Sequence, residues 1–433
     1  MTTTITLNQG QQAAADGFFN FLFSKDSELI ISGPGGVGKT FLMGHLIDQV
    51  MPHYHESCHL LGIDPIYQGV MMTATTNKAA EVLGQATRRP TSTVHSFLNL
   101  LLRDDFETGI SKLVKSKNWT VHRGQILFID ECSMIDGGLL QMIREGTHQC
   151  KIVYVGDHCQ LAPIQETISP IYKASPPMPF YELLEPVRNA NQPALLAVCT
   201  QLRETVETGK FRPIKTVPGV IDLLDGPSME KEIQAHFKDP TNHDRILAYT
   251  NNQVIAYNDY IRIFRGLPST FTVGEHVVSN TAIQMGRLGM IHVEDEFRID
   301  RVTQPCKVLL DEGVEFEVIY CTLSGSHYTF EQVPVPVDRD HFNKLVKYYQ
   351  KQKSWRMFYQ LKNNYPDLRP RDAATVHKAQ GSTYETVFVD LDDLSTCHNP
   401  NMAARLLYVA FTRAKQRVVL YGKLAPKYGG VVS

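Results

Sequence analysis

The sequence has no Cys-x-x-Cys pair, no apolar run long enough to cross a bilayer and no excess of either charge. Its 8 cysteines are scattered singly, which argues against a disulfide framework and against a zinc ribbon. A membrane-spanning helix needs about 18 apolar residues or more, and the first residues lack the charged-then-apolar layout of a signal peptide. We therefore expect a cytoplasmic protein without a membrane partner.

Charge is nearly balanced, with 43 Lys and Arg against 45 Asp and Glu. Proteins that bind nucleic acid non-specifically usually carry a basic face, so a nucleic-acid site here must be a local groove. The 433 residues exceed a single core, because domains typically hold about 100 to 200 residues. At least two domains are expected.

The strongest local signal is the segment Gly33–Thr40, GPGGVGKT, which lies between an apolar run, Leu29–Ile31, and a helix-patterned segment, Phe41–Val50. A strand, a glycine-rich turn and a helix N-terminus in this order present backbone N–H groups to phosphate oxygens. The pattern predicts that Lys39 reaches the β- and γ-phosphates of ATP and that Thr40 holds Mg²⁺. The predicted nucleotide contacts are Gly35, Gly36, Val37, Gly38, Lys39 and Thr40.

Two further apolar runs end in polar residues that fit this chemistry. Ile126–Ile129 ends in Asp130 and Glu131, which we interpret as the Mg²⁺ holder and the general base for the attacking water. After the run at 152–155, Gln160 is placed to sense the γ-phosphate. This combination favours hydrolysis over simple nucleotide binding.

Other polar positions are less specific. Thr75 and Thr76 follow an apolar run and either contact a phosphate backbone or cap the next helix. Gln11, which precedes the first strand, either reads adenine or is an ordinary solvated glutamine. Between the phosphate loop and the acidic pair, two strand-like runs flank a turn and predict a hairpin insert, with Phe106 as the aromatic near its tip. Phe106 stacks on a base or packs the hairpin onto its domain; the residues leave both open.

Taken in order, eight motifs resemble those of superfamily 1 helicases, specifically the RecD-like branch that includes the bacteriophage Dda helicases. They are GPGGVGKT, TATTNKAA, TSTVHSF, IDECSM, GDHCQLAP, LLEPVR, TVHKAQGST and LLYVAFTRAK. The resemblance implies an α/β fold with two RecA-like P-loop domains built on parallel sheets. The first domain would span 1–177, with its hairpin insert at about 97–122. The second would span 178–270 and 370–433, with a β-barrel-like (SH3-like) insert and helical extension at 271–369.

The resemblance also implies roles for individual residues. ATP would bind between the domains, with Gln11 reading adenine, Gln160 sensing the γ-phosphate and Gly381 lining the site. Arg188 and Arg413 would reach the transferred phosphoryl group from the second domain, as arginine fingers within one chain. The implied DNA contacts are Thr75, Thr76, His95, Phe106, Thr375 and His377.

The function implied is ATP-dependent, 5′ to 3′ translocation on single-stranded DNA with separation of duplex strands. The partners would be single-stranded and forked DNA, with a single-stranded DNA-binding protein or replisome components in addition. The chain would act as a monomer. Its place of action would be a cytoplasm, such as that of a bacterial host in which a phage protein acts. An RNA helicase of the same superfamily and a P-loop regulatory ATPase are the alternatives that the sequence leaves open.

Overall fold

The computed structural model describes residues 6–163, 166–186, 192–286, 289–310, 313–326 and 328–432. The N-terminal part of the chain is built on a parallel sheet of six strands, whose spatial order is β10-β1-β9-β7-β2-β3 when the strands are numbered along the chain as below. The elements of this part of the chain are α1 (Gln9–Phe23), β1 (Glu28–Ser32), α2 (Lys39–His45), α3 (Met51–Leu60), β2 (Gly69–Ala74), α4 (Asn77–Thr87), β3 (Thr91–Thr93), α5 (Val94–Phe97), β4 (Leu100–Asp104), β5 (Ser111–Lys115), β6 (His122–Arg123), β7 (Gln125–Asp130), α6 (Gly137–Glu145), β8 (Thr147–His148), β9 (Lys151–Gly156) and β10 (Phe180–Glu182). A single π-helical stretch, Leu46–Val50, joins α2 to α3.

The central strands of this sheet are continuous apolar runs because helices cover both of their faces. Every residue of β9 is buried, as are four of the six in β7. The helix α1 begins with a capping box, in which the Asn8 side chain accepts from the Gln11 amide and the Gln11 side chain accepts from the Asn8 amide. The sheet therefore holds its loops in fixed positions along one edge.

A second parallel sheet of five strands has the order β12-β24-β23-β13-β22. Its part of the chain contains α7 (Pro193–Thr208), β11 (Ile214–Lys215), β12 (Ile221–Leu224), α8 (Gly226–Phe237), β13 (Arg245–Ala248) and α9 (Asn251–Phe264), and later β22 (Ala373–Thr375), β23 (Tyr384–Asp390), α12 (Leu391–Ser395), α13 (Pro400–Thr412), β24 (Ala414–Tyr421) and β25 (Val431–Val432). Two parallel α/β sheets confirm the predicted fold class.

The strand β10 pairs with β1, so Phe180–Glu182 belongs to the first sheet. The boundary predicted at residue 177 therefore falls before the last strand of that sheet. The chain continues through the proline-rich segment at 176–179 to pair once more with the first sheet.

Between α9 and β22 lies an antiparallel insert. It contains β14 (His276–Ser279), β15 (Ile283–Gln284), β16 (Met290–Ile291), β17 (Glu296–Val302), β18 (Cys306–Leu309), β19 (Glu315–Ser324), β20 (Thr329–Pro336), α10 (Arg339–Lys351), α11 (Trp355–Asn364) and β21 (Leu368–Pro370). The long strand β19 pairs with β17, β18 and β20, which gives the insert its barrel-like form. Aromatic residues of the two helices, Tyr349, Phe358 and Tyr359, are buried against Phe316 of β19 in one apolar cluster.

The strands β4 and β5 form the predicted antiparallel hairpin, with Asp104 opposite Ser111. Gly109 closes its turn with a φ of 72°, a conformation that glycine adopts without strain. No described helix is both long and apolar enough to span a bilayer.

Candidate nucleotide site and nucleic-acid interface

The phosphate loop joins β1 to α2 as the sequence predicts. Gly36 and Gly38 have φ values of 86° and 82°, which a residue with a Cβ would adopt only with strain. Gly38 is the N-cap of α2 and supplies no side-chain cap, so the first N–H groups of the helix are left for a ligand. Lys39 Nζ donates to the carbonyl oxygens of Gly33 and Pro34 at 2.6 and 2.9 Å. The ammonium group thus lies within the loop that would surround the phosphates.

Gln11 contacts the phosphate loop. Its Nε2 donates to the carbonyl oxygen of Val37 at 3.1 Å, and the side chain is buried. The capping box and this hydrogen bond together fix the amide beside the loop. Its predicted contact with adenine stays a prediction.

The acidic pair lies at the end of β7. Burial, and then the neighbouring charge of Glu131, raise the pKa of Asp130 to about 7. Glu131 itself has a φ of 53°, and Thr75 Oγ1 donates to its carbonyl oxygen at 3.1 Å. A strained backbone conformation persists only where the surrounding structure holds it. Such residues are typical of functional sites, where the orientation of the side chain matters for the chemistry.

Mg²⁺ fits the donor set. Asp130 offers a carboxylate and Thr40, the second residue of α2, offers a hydroxyl, and Mg²⁺ prefers such oxygen ligands. A cation here would also favour the ionised form of Asp130, whose pKa burial raises.

The second domain reaches this site through the turn after β22. Gln380 Nε2 donates to Ser133 Oγ at 3.1 Å and lies 3.5 Å from Glu131 Oε2. Gly381, which the resemblance places in the site, has a φ of 82°, and a Cβ there would lie 3.9 Å from Glu131 Oε1. The sequence did not single out Gln380, although it adjoins Gly381 within the motif TVHKAQGST.

A cavity of about 270 Å³ opens between the two domains beside the phosphate loop. Its walls include Pro34, Gly35 and Val37 of the loop, and Arg203, Tyr408 and Thr412 of α7 and α13. A cleft with the phosphate loop on one wall and the second domain on the other is a suitable place for a nucleotide.

The two predicted arginine fingers differ in what can be described. Arg188 lies outside the described residues. Arg413 is buried, and its guanidinium donates to the carbonyl oxygens of Val409 and Ser382 at 3.2 and 3.1 Å. These bonds direct Arg413 into its own domain, so its predicted contact with a phosphoryl group stays a prediction.

The predicted DNA contacts lie at strand ends in both domains. Thr75 is almost fully buried, and Thr76 Oγ1 accepts from the amide of Ala79 as the N-cap of α4, the alternative that the sequence left open. His95 and His377 are half-buried, and burial lowers the pKa of each. Thr375 Oγ1 accepts from the amide of Lys378 at 3.3 Å.

Beside Thr375 lies a groove that we call the basic groove. Its cations come from α4, from β13 and from the segment around β21 and β22, and two acids from the insert face them. The charged residues of the basic groove are Lys78, Arg245, Arg369, Arg371, Lys378, Glu294 and Glu296. A locally cationic groove agrees with the expectation from a balanced net charge.

The hairpin rests on the helical extension of the insert. Asn363 Nδ2 donates to Asp104 Oδ2 at 2.8 Å, and the rings of Phe106 and Tyr359 lie 5.1 Å apart in an edge arrangement. A Cβ on Gly109 would lie 2.4 Å from the Trp355 ring. Phe106 is nevertheless 57% exposed, so its ring is both packed on one side and open on the other.

Comparison with known proteins agrees with this geometry. Residues 6–214 match a family described as an AAA domain, and residues 372–421 match the UvrD-like helicase C-terminal domain. The ATP-dependent DNA helicase dda of Enterobacteria phage T4 is 24% identical, with 95% of this chain and 98% of that protein covered. The chain resembles superfamily 1 helicases of the Dda type.

Two further relatives extend the comparison. The ATP-dependent RecD2 DNA helicase of Deinococcus radiodurans is 22% identical over 90% of this chain and 46% of that protein. Among solved structures, the Pif1 helicase from Bacteroides in complex with ADP-AlF3 and ssDNA has a TM-score of 0.52 at 14% identity, covering 99% of this chain and 95% of that one. At this identity the structural likeness shows the fold alone, two RecA-like α/β domains.

Proposed function

We propose that this protein is an ATP-dependent DNA helicase that translocates 5′ to 3′ on single-stranded DNA and separates duplex strands. The observation that carries the proposal is the contact of Gln380 of the second domain with Glu131 and Ser133 at the phosphate site of the first. A nucleotide bound at that junction would change how closely the two domains approach. Such a change is what moves a two-domain motor along a strand.

The residues of the cleft divide the chemistry between them. Lys39 binds the β- and γ-phosphates, and Glu131 takes a proton from the attacking water. Thr75 and Gln380 hold Glu131 in position. Thr40 and Asp130 would hold Mg²⁺, which would supply positive charge that neutralises the phosphates. Gln160, Arg188 and Arg413 sense and stabilise the transferred phosphoryl group.

Single-stranded DNA would lie across both domains. We assign its contacts to Thr75, Thr76 and His95 in the first domain, and to Thr375 and His377 in the second. The cations of the basic groove would attract the phosphate backbone without reading its sequence. The chain would act as a monomer on forked DNA, with a single-stranded DNA-binding protein or replisome components as further partners.

The hairpin would stand where the two strands part. Its exposed apolar side chains include Leu101, Leu102, Phe106 and Ile110. An exposed aromatic ring stacks on a base with about 1 to 3 kcal/mol. The contacts with Trp355 and Asn363 would keep the hairpin from bending aside as the duplex meets it.

The two alternatives have less support. The relatives are named as DNA helicases, which favours DNA over RNA. A regulatory P-loop ATPase would not need a second domain against its general base, yet Gln380 lies 3.5 Å from Glu131.

Unwinding of matched duplexes tests the proposal. Two substrates of the same sequence carry a single-stranded overhang on either the 5′ or the 3′ side, and strand separation is followed with and without ATP. We expect unwinding from the 5′ overhang only, and none with Glu131→Gln, which keeps the shape of the side chain but accepts no proton. Unwinding from the 3′ overhang would show that the direction of translocation is 3′ to 5′ and would contradict the proposed polarity. Absence of any turnover stimulated by nucleic acid would favour the regulatory ATPase, and greater stimulation by RNA oligonucleotides would favour the RNA helicase.

A further inference from the structure

The loop after β9 belongs by sequence to the first domain but is packed into the second. Cys159 and Leu161 are fully buried in the main apolar cluster of the second domain, together with Leu195 of α7 and Leu406 of α13. Between them lies Gln160, the predicted γ-phosphate sensor. We call Asp157–Leu161 the sensor loop.

Side chains of the second domain also hold the sensor loop through hydrogen bonds. Asp157 is fully buried; its Oδ1 accepts from Arg203 at 2.6 Å and its Oδ2 accepts from the Tyr408 hydroxyl at 2.6 Å. Arg405 donates to the carbonyl oxygens of His158, at 2.7 Å, and of Gln160. All three donors belong to α7 and α13 of the second domain.

Arg203 also bridges back to the first sheet. Its second terminal nitrogen donates to Glu182 Oε1 of β10 at 2.7 Å, and its Nε lies 3.3 Å from Glu207 Oε1. A buried guanidinium shared by two carboxylates of one domain is costly to displace, because separation would leave charges unpaired away from water. Arg203 therefore joins β10, Asp157 and α7 at one point.

The side chain of Gln160 is left ready for a ligand. It is 3% exposed, and its Oε1 has no hydrogen-bond partner among the described residues. A buried amide oxygen without a partner is unfavourable, which is a reason to expect a functional role. The backbone of Gln160 is held by Asp157, because the backbone N–H of Gln160 donates to the backbone carbonyl oxygen of Asp157 at 3.1 Å.

We infer that Arg203 and Tyr408 are positioning residues, which hold Asp157 so that movement of the second domain sets the position of the Gln160 side chain. The inference rests on the proposed function, since it concerns when that function hydrolyses ATP. In it the second domain acts on the γ-phosphate through the sensor loop, in addition to the arginines that it supplies directly. DNA bound across both domains would then change the rate of ATP hydrolysis through Arg203, without contact between the DNA and Arg203.

A double-mutant cycle on DNA-stimulated ATP turnover tests this. Arg203→Lys keeps the charge but not the forked geometry. We expect it to lower DNA-stimulated kcat about 10- to 100-fold, as for a displaced catalytic side chain. Arg203 also lines the cavity beside the phosphate loop, so an effect on the KM for ATP alone would show that it contacts the nucleotide and does not act through Asp157. In a Gln160→Ala background it should cause no further loss, because the group it positions is already gone.

Two variants sharpen the result. Tyr408→Phe removes only the hydroxyl that donates to Asp157, so it gives the same cycle where Arg203→Lys fails to fold. Arg212→Lys, just beyond α7 and paired with exposed Glu204, is the matched control and should match the wild type. Losses that multiply in the double variants, or a rise in KM with kcat unchanged, would overturn the inference. Either result overturns the inference alone, provided that the wild type hydrolyses ATP in the presence of DNA. If the wild type shows no such hydrolysis, the proposed function fails, and the inference that rests on it fails too.

Discussion

The two parallel sheets can be compared position by position. Apart from β10, the first has the order β1-β9-β7-β2-β3 and the second β12-β24-β23-β13-β22. The edge strands even share a register, since Ala74 lies opposite Thr93 and Ala248 opposite Thr375. Each edge strand leads into the sequence Thr-Val-His, ending in His95 and in His377. Equivalent elements thus place a threonine and a histidine at the same point in each domain.

The sheets differ at the strand that would carry a phosphate loop. In the first domain α2 has Gly38 as its N-cap and no side-chain cap. In the second domain β12 leads directly to α8, where the Asp225 carboxylate accepts from the amide of Ser228. The helix N-terminus that we propose to bind phosphate in the first domain has no side-chain cap, whereas the equivalent helix of the second domain is capped by a carboxylate of the chain itself. The comparison teaches that the positions proposed to contact nucleic acid recur in both domains, whereas the phosphate loop does not.

Removal of the loop lysine should have the largest effect. We expect Lys39→Ala to abolish ATP turnover, because no other point charge of the loop motif reaches the β- and γ-phosphates. The matched control is Lys231→Ala, an exposed lysine of α8 in the second domain, which should turn over ATP as the wild type does. Steady-state hydrolysis measures both. Equal losses in the two variants would break the comparison, since they would give both helices a nucleotide role.

What could be predicted from the sequence depended on distance along the chain. The phosphate loop and the acidic pair are short segments whose chemistry is complete within a few residues, and both strands and loops fold as expected. The hairpin also followed from a local pattern, two strand-like runs around Gly109.

The groups that were missed act across long separations. Tyr408 is 251 residues from Asp157, and Gln380 is 249 residues from Glu131. The hydrophobic periodicity of the sequence does not indicate such a pairing, because the pairing arises only when the two domains pack together. Both residues do lie within the quoted motifs, so the motifs identified the right segments without the right side chains. Arg203 lies outside every motif.

The hairpin is a second asymmetry between the domains. It occupies the connection from β3 to β7, whereas the equivalent connection from β22 to β23 has only the short turn at 376–383. If strand separation belongs to the hairpin, replacing Leu102–Lys112 with a short Gly-Ser turn should suppress unwinding about tenfold or more, since an aromatic-base contact is worth about 1 to 3 kcal/mol. DNA-stimulated hydrolysis and translocation should remain. Fluorescent strand displacement and single-strand translocation assays measure the difference.

The narrower change Phe106→Ala separates the two roles of the ring. Loss of unwinding with an unchanged melting temperature would favour base stacking. A lowered melting temperature with normal unwinding would instead show that Phe106 packs the hairpin against Tyr359. Loss of all activities in the Gly-Ser variant would identify the hairpin as an element needed for folding.

The paired histidines test the duplication directly. His95→Ala and His377→Ala should each weaken single-stranded DNA binding about fivefold, since one hydrogen bond contributes about 1 kcal/mol. The double variant should show the product of the two losses, because the sites lie in different domains. Fluorescence anisotropy measures the Kd, with exposed His59→Ala of α3 as the control. A loss confined to one histidine would mean that the shared register does not extend to function.

The smallest effect concerns the carboxylate that caps α8. Hydrogen bonds from the Ser228 hydroxyl and amide lower the pKa of Asp225. Its contribution to stability is therefore fully present above the unfolded value of about 3.9 and is lost as pH falls through the lower folded pKa. We expect Asp225→Ala to lower the Tm slightly and equally between pH 7 and pH 5, with a smaller difference below about pH 4.

The same variant also tests whether the cap alone keeps nucleotide out of the second domain. Asp225→Ala exposes the first N–H groups of α8 but supplies neither the glycines of the phosphate loop nor its lysine. Titration calorimetry with a non-hydrolysable ATP analogue should therefore still give one site per chain, with the affinity of the wild type. A second site in Asp225→Ala would show that the two sheets differ by this carboxylate alone, and that the glycine-rich loop is not what confines nucleotide to the first domain.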